Sequence, residues 1–478
     1  MNRLTQHLPR AAQLLGNALV LAALASCGGG DGVVGSGGTG ISAGLAVGTV
    51  NGFGSVIVDG VAYDNRSAPV LSEVAPGQDA VAEVKLGDRV AIEYQTAGVA
   101  SVVRLEAALS GTVTSAASEG RFTMLGQTVA INTSGAAGPI TQLGGGYALA
   151  SDLRVGDRVE VHGVLVGQAD SYRIQATRID KLAAAPAYLR VTGLVSHLGS
   201  DGTFSLGALT VDASGAGILP ASTSLANGQT VTVLALPGLL TPPHDGSQRL
   251  NAAQVRILEL QSRSLEDALS GSVTHLDAAA RTLTLGGVRV DYSAATLSPP
   301  ATTLADGQYV VVRGTPSSTG TLAASSLSIR DAGSDSEAAL RGNVRGYVAA
   351  TGRFFVRDVM VDASSASVQG CPASGPADGQ FVVVQGAVSS AGVVAQKVQC
   401  EAEPADAEVE RDGLAGAVDI AAAAFTLTTE SGSTVSVSWT ATTYFGGVTP
   451  QTLSGKAVQV EGSLVGGRLV AAKIKVGD

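Results

Sequence analysis

One nine-residue phrase constrains this chain more than any other feature, because it is written six times. "VGDRVEVHG" at 155–163 returns as "LGDRVAIEY" from Leu86, "NGQTVTVLA" from Asn227, "DGQYVVVRG" from Asp306, "DGQFVVVQG" from Asp378 and "SGKAVQVEG" from Ser454. The turn glycines are Gly87, Gly156, Gly228, Gly307, Gly379 and Gly455, spaced 69 to 79 residues apart. Three residues after each stands a valine (Val90, Val159, Val231, Val310, Val382, Val458). Two further on comes Ile92, Val161, Val233, Val312, Val384 or Val460. Apolar residues at a spacing of two behind a glycine turn specify a half-buried strand. Seven residues past the turn, four copies carry glycine again (Gly163, Gly314, Gly386, Gly462), which predicts a bulge or a close backbone approach.

The rest of each copy keeps step. A short opener contains a glycine: "VGTV" at 47, "SGTV" at 110, "TGLV" at 192, "SGSV" at 270, "RGNV" at 341 and "AGAV" at 415. A hairpin follows, as in "RTLTLGGVRVDY" (281–292), where Gly286-Gly287 supplies a two-residue turn. Each copy closes on Ala with an apolar residue three later and, save for Lys181 in the second copy and Cys400 in the fifth, another five later, as in Ala252/Val255/Ile257 and Ala471/Ile474/Val476. The predicted fold is therefore all-β: six tandem, small, five-stranded OB-like barrel modules. Aromatics make up only 4% of the 478 residues and Gly numbers 62, which suits small barrel interiors.

The N-terminus carries an address. Arg3 and Arg10 precede the apolar run "AAQLLGNALVLAALA" (11–25), which is too short to span a bilayer and ends in "LASCGGGD". Leu24-Ala25-Ser26-Cys27 resembles a bacterial lipobox. That resemblance implies cleavage before Cys27 and acylation of its sulfur, with Gly28 after it pointing to the outer membrane of a Gram-negative cell. The alternative is an ordinary secretory signal in which Cys27 is incidental. The expected organisation is a signal peptide over 1–26 and a Gly-rich tether over 27–44. Modules follow over 45–107, 108–183, 188–260, 265–331, 337–401 and 411–478, strung like beads on short linkers such as the acidic "EAEPADAEVERD" (401–412). Loss of Arg3 and Arg10 with the signal would take the net charge from −10 to −12, which disfavours nucleic acid and anionic lipid as ligands.

The opener, the hairpin, the turn phrase and the alanine-led closer together resemble a bacterial family of unknown function, DUF5666. It occurs as tandem OB-like repeats in secreted proteins and lipoproteins. The resemblance spans about 45–477. It implies a fold and no activity.

Chemistry-bearing motifs are sparse. No cofactor motif appears, and His162, His197, His244 and His275 each stand alone, without metal-ligand spacing. His162, on a turn-led strand, reads as solvent-facing. Asp88, Asp157, Asp306 and Asp378 read as turn caps rather than calcium ligands. Cys371 and Cys400 either form a disulfide or remain thiols, with Cys400 filling a core slot occupied elsewhere by Val or Ile. Two insertions offer candidate binding loops: "GAAGPITQLGGGYALAS" (135–151), with Tyr147, and "LPGLLTPPHDGSQRL" (236–250), with His244 and Asp245. Tyr172, Tyr188, Tyr309, Trp439 and Tyr444 are candidate glycan platforms. The expected function is a lipid-anchored, non-enzymatic envelope scaffold or binding protein with protein or glycan partners. The alternative is a glycan-binding or sugar-processing protein, a hydrolase included, with its site in loops or at a module junction.

Overall fold

A computed structural model describes residues 43–477 apart from 136–137, 169–170, 222, 245–246, 261–263, 301–302, 331–336, 405–407 and 430–431. Cys27 and Asp245 thus lie outside the described residues. All regular structure is β-strand, save two single-turn 3₁₀ segments at Ala150–Asp152 and Pro237–Leu239.

The last module shows the plan. Its strands Glu408–Asp419, Ala424–Thr429, Thr434–Gly446, Ala457–Val465 and Arg468–Val476 close into a barrel in the order first, second, third, fifth, fourth. The third and fifth strands run parallel, and every other neighbour is antiparallel. The second module (Leu109–Ser118, Arg121–Met124, Gln127–Ile131, Arg158–Val166, Arg173–Lys181) repeats this order. So does the fourth. Closure of this Greek-key kind leaves no open strand edge. The acidic stretch 401–412 is not all linker, since the first strand of the sixth barrel begins at Glu408.

The recurring phrase has a specific structural cause. Each turn glycine has φ between 72° and 91°, in the left-handed region that side chains resist. Its N–H donates to the opener's carbonyl (Gly87 to Val50, Gly156 to Val113, Gly307 to Val273, Gly455 to Ala415, each 2.8–2.9 Å). The opener's N–H answers by donating to the residue after the glycine, as Val50 does to Asp88 and Val113 to Asp157. The turn aspartates occupy two different positions. Asp88 and Asp157 follow the glycine and cap the N–H groups of Lys85 and Arg154. Asp306 and Asp378 precede it and accept from Leu276 and Tyr347 across the barrel.

Beyond the turn, Val90, Val159, Val231, Val310, Val382 and Val458 and their partners two residues on are all buried. The register then slips at Gly163, Gly314, Gly386 and Gly462, so the predicted bulge is present. The reason for glycine is contact: a Cβ on Gly462 would sit 2.1 Å from the Val470 carbonyl oxygen. Gly462→Ala should therefore force the last two strands apart and cost roughly 1–3 kcal/mol. Urea denaturation of the full chain would check this; an unchanged midpoint would show that the bulge relaxes freely.

Beyond the shared strands the modules differ in what they add: short extra strands at Gln142–Gly144, Thr296–Ser298 and Ser367–Gln369 run parallel to the closing strands of the second, fourth and fifth. The first inserts a hairpin, Val70–Ala75 with Gln78–Val81, alongside its closing strand. The third converts its insertion into wall rather than loop. Leu240–His244 and Ser247–Asn251 pair with each other, and the latter extends the sheet beside Leu209–Asp212. In the fifth, Cys371 and Cys400 are bonded, their Cα atoms 4.9 Å apart. Cys400 also fills the core slot, at 8% exposure.

The modules are not beads on a string. Openers pair across barrels: Arg190 and Val191 of the third with Ser110 and Leu109 of the second, and Ala46 and Val47 of the first with Ala268 and Leu269 of the fourth. Gly52 and Phe53 of the first pair with Ala339 and Leu340 of the fifth. Cores merge as well, one shared by the second and third barrels and another by the first and fifth.

Candidate functional site

The first barrel is a hub that all five others touch. From the second, His162 receives the Arg89 N–H on Nδ1 at 3.1 Å and sets Nε2 3.5 Å from Asp88. From the third, Arg190 and Arg256 converge on Glu73 at 3.3 and 2.5 Å. From the fourth, the Ser270 hydroxyl accepts from Arg89 at 3.0 Å, while the Tyr309 hydroxyl lies 3.0 Å from Asp59. The fifth joins by the strand pairing above. From the sixth, Lys473 donates to Glu83 at 2.9 Å.

His162 is therefore not solvent-facing. It is 1% exposed, because the outer face of its strand is covered by the first barrel. Burial alone would lower its pKa, but Asp88 and Glu160 outweigh burial and raise it. Tyr309 and Tyr172 are buried too, and Tyr172 hydrogen-bonds Gln127 at 2.5 Å, so neither offers a platform.

Where the first, second, fifth and sixth barrels meet, they leave a groove of about 470 Å³. Its walls include Phe53, Glu83 and Lys85 from the first, Gln142, Tyr147 and Arg178 from the second, Phe355, Asp358 and Met360 from the fifth, and Lys475 from the sixth. That volume falls within the range of small-ligand clefts. Tyr147 comes from the 135–151 insertion. Its hydroxyl donates to Asp157 at 2.7 Å and the Lys181 ammonium lies 5.3 Å from its ring, so the ring is fixed. Gln142 ties the same insertion to the fifth barrel through the Ser389 carbonyl at 2.7 Å. Phe355 is 38% exposed, and the Arg345 guanidinium lies 5.3 Å from its ring centre. The other insertion leads to strand, as described, and the His244 side chain lies outside the described residues.

A second groove, about 790 Å³, lies between the first and sixth barrels and includes Arg66, Glu408, Thr440, Thr442 and Ser463. An ion-pair septum stands between the two. Arg357, lining the first groove, pairs with Glu408, lining the second, and with Glu461 at 2.8 Å. Lys473 bonds Glu83, Asp358 and Glu461 at 2.9, 3.1 and 2.8 Å, and Lys475 bonds Asp358 at 2.5 Å. Burial pushes the Asp358 carboxyl up, but the two lysines prevail and hold it at about 2. Glu410 behaves oppositely. Burial first, then the negative charges of Glu461 and Asp358, raise it to about 8. It is 6% exposed and bonds Gln459 at 2.8 Å. The described groove-wall carboxylates Glu83 and Asp358 are thus each engaged by lysine, and the Glu410 carboxyl, with its raised pKa, is enclosed behind them. That arrangement presents fixed donors and acceptors to a ligand. Among the described residues no group of three or more His, Cys, Asp or Glu is placed to hold a metal.

With this geometry in view, comparison with known families is informative. The family described as "Domain of unknown function (DUF5666)" matches residues 110–180, 270–328 and 416–475. These three segments coincide with the second, fourth and sixth barrels, which are thus similar to DUF5666 domains, and the remaining barrels carry the same turn phrase. The DUF5666 description assigns no activity. No curated protein matches the chain. Among solved structures, "drosophila Unr CSD456" is 15% identical over 47% of this chain and 97% of its own, with a TM-score of 0.11. A likeness that low carries no argument about this protein.

Proposed function

We propose that this protein is a lipid-anchored, non-enzymatic binding protein of the bacterial envelope, with its ligand in the four-barrel groove. The observation that carries the reading is the groove itself: four barrels contribute to it, and ion pairs fix its walls. Loops on fused barrels form a stiffer site than loops on beads, so less ordering accompanies binding. The lipobox-like Leu24-Ala25-Ser26-Cys27 supports the anchor, and no described helix is long and apolar enough to cross a membrane. Because the first barrel both follows Cys27 in the chain and contacts every other barrel, an anchor there would hold the body by its hub.

The test is cross-linking capture from intact cells with three forms. Ala391 is an exposed turn residue on the groove wall, so Ala391→Trp fills the groove without entering a core. Wild type should enrich a specific envelope component that Ala391→Trp loses by at least tenfold. Cys27→Ser should move from the membrane to the soluble fraction. Undiminished capture by Ala391→Trp would reject the groove, and membrane retention of Cys27→Ser would reject the anchor.

A further inference from the structure

We propose that the four-barrel groove takes a neutral oligosaccharide; the inference rests on the groove being the binding site. The walls accept only a ligand that leaves their ion pairs intact. Arg178 is held by Asp180 at 2.5 and 2.7 Å, Arg357 by Glu408 and Glu461, and Lys475 by Asp358. Lys85 lies 3.8 Å from Asp180. A phosphate or carboxylate ligand would have to draw Arg178, Arg357 or Lys475 away from its partner, and would meet only the half-exposed, loosely paired Lys85 without doing so. It would strand a carboxylate that is part-buried among others, and that exchange is unfavourable.

A hydroxyl imposes no such exchange. It donates to a carboxylate's remaining lone pair and accepts from a guanidinium's remaining N–H, so a wall of intact ion pairs suits a ligand made of hydroxyls. Sugars also have apolar C–H faces, and the groove provides matching surface. Phe355 is exposed, with Arg345 beside its ring and Arg345 in turn 3.2 Å from Asp358. Half-buried Met360 continues that surface, and of the buried Tyr147 ring only an edge reaches it. Tyr and Phe contribute contact area at little conformational cost, and these rings are already immobilised. An extended peptide has the same dual hydrogen bonding in its amides. It gains most from an open strand edge, whereas closed barrels form these walls.

Titration calorimetry on the full mature chain decides the matter, with maltohexaose, cellohexaose and chitohexaose as neutral probes. Hexagalacturonate serves as the anionic probe and an alanine–serine octapeptide as the peptide. At least one neutral hexasaccharide should bind, with hexagalacturonate at least tenfold weaker and the octapeptide silent. Raising salt from 0.15 to 0.5 M should change the neutral Kd less than twofold. Phe355→Ala should weaken binding at least tenfold with its melting temperature retained, and Ala391→Trp should abolish it. Preference for hexagalacturonate or the octapeptide, blocked by Ala391→Trp, would overturn the ligand class and leave the groove standing. Sugar binding that survives Ala391→Trp would overturn both. Binding by none of the five probes would overturn the inference.

Discussion

Replacing Lys473 by Met should destabilise the protein by about 3–5 kcal/mol, among the largest single-residue effects expected here. Among the described residues the ammonium alone bonds Glu83 of the first barrel, Asp358 of the fifth and Glu461 of the sixth together. Its side chain is 10% exposed, so solvent cannot replace it. Methionine fills most of the volume and removes the charge, leaving three carboxylates facing one another at the junction. Lys475 still compensates Asp358 and Arg357 still compensates Glu461, which sets the loss nearer a broken buried pair than a triple one. Guanidinium denaturation of Lys473→Met measures the loss directly. A double-mutant cycle with Glu83→Gln isolates the link between the first and sixth barrels, since removing both partners should cost less than the sum. A loss below about 1 kcal/mol would mean that the septum contributes register and shape rather than stability.

What repeats in the sequence was legible, and what differs between the copies was not. Val90 and its five counterparts, the turn glycines and the bulge at Gly462 are dictated within one module. Alternation, left-handed backbone and local crowding act over a few residues and leave the same trace six times. Contacts between barrels leave no such trace. Leu45 donates to Asp267 from 222 residues away, and openers that look alike pair antiparallel in one junction and parallel in another. A signal was nevertheless present two residues past each turn glycine. The residues there are Arg89, Arg158, Thr230, Tyr309, Phe381 and Ala457, as varied as the flanking positions are uniform. Arg89 and Tyr309 meet in the hub network, and Phe381 packs into the core of the sixth barrel. At Arg89, Thr230, Tyr309 and Phe381 the divergent residue meets a neighbouring barrel, whereas Arg158 and Ala457 stay exposed. His162 was misread. Its place on a turn-led strand suggested solvent, yet here the first barrel covers that face. Insertions gave mixed guidance. The segment 135–151 carries Tyr147 into the groove, whereas 236–250 extends a barrel wall, and length alone does not separate the two.

Glu410→Gln should stabilise the protein, and the gain should depend on pH in a defined direction. The Glu410 carboxyl is raised from 4.5 to about 8, first by burial and then by Glu461 and Asp358. A group whose folded pKa lies above its unfolded value favours folding fully below the unfolded value and loses that contribution as pH rises through the folded one. The wild-type protein should therefore lose stability between about pH 4.5 and pH 8, through this residue, and level off above. The displacement corresponds to roughly 4 to 5 kcal/mol at 1.36 kcal/mol per pH unit. Glutamine has nearly the same shape and no proton to lose. It keeps an acceptor for Gln459, whose Nε2 now donates to the carboxyl at 2.8 Å. Below pH 4.5 the two proteins should melt together. By pH 8 to 9 the variant should melt well above wild type, provided both unfold reversibly. A constant offset at every pH would assign the gain to packing, and no offset would mean that Glu410 is ionised in the fold, compensated by Arg345 3.5 Å away.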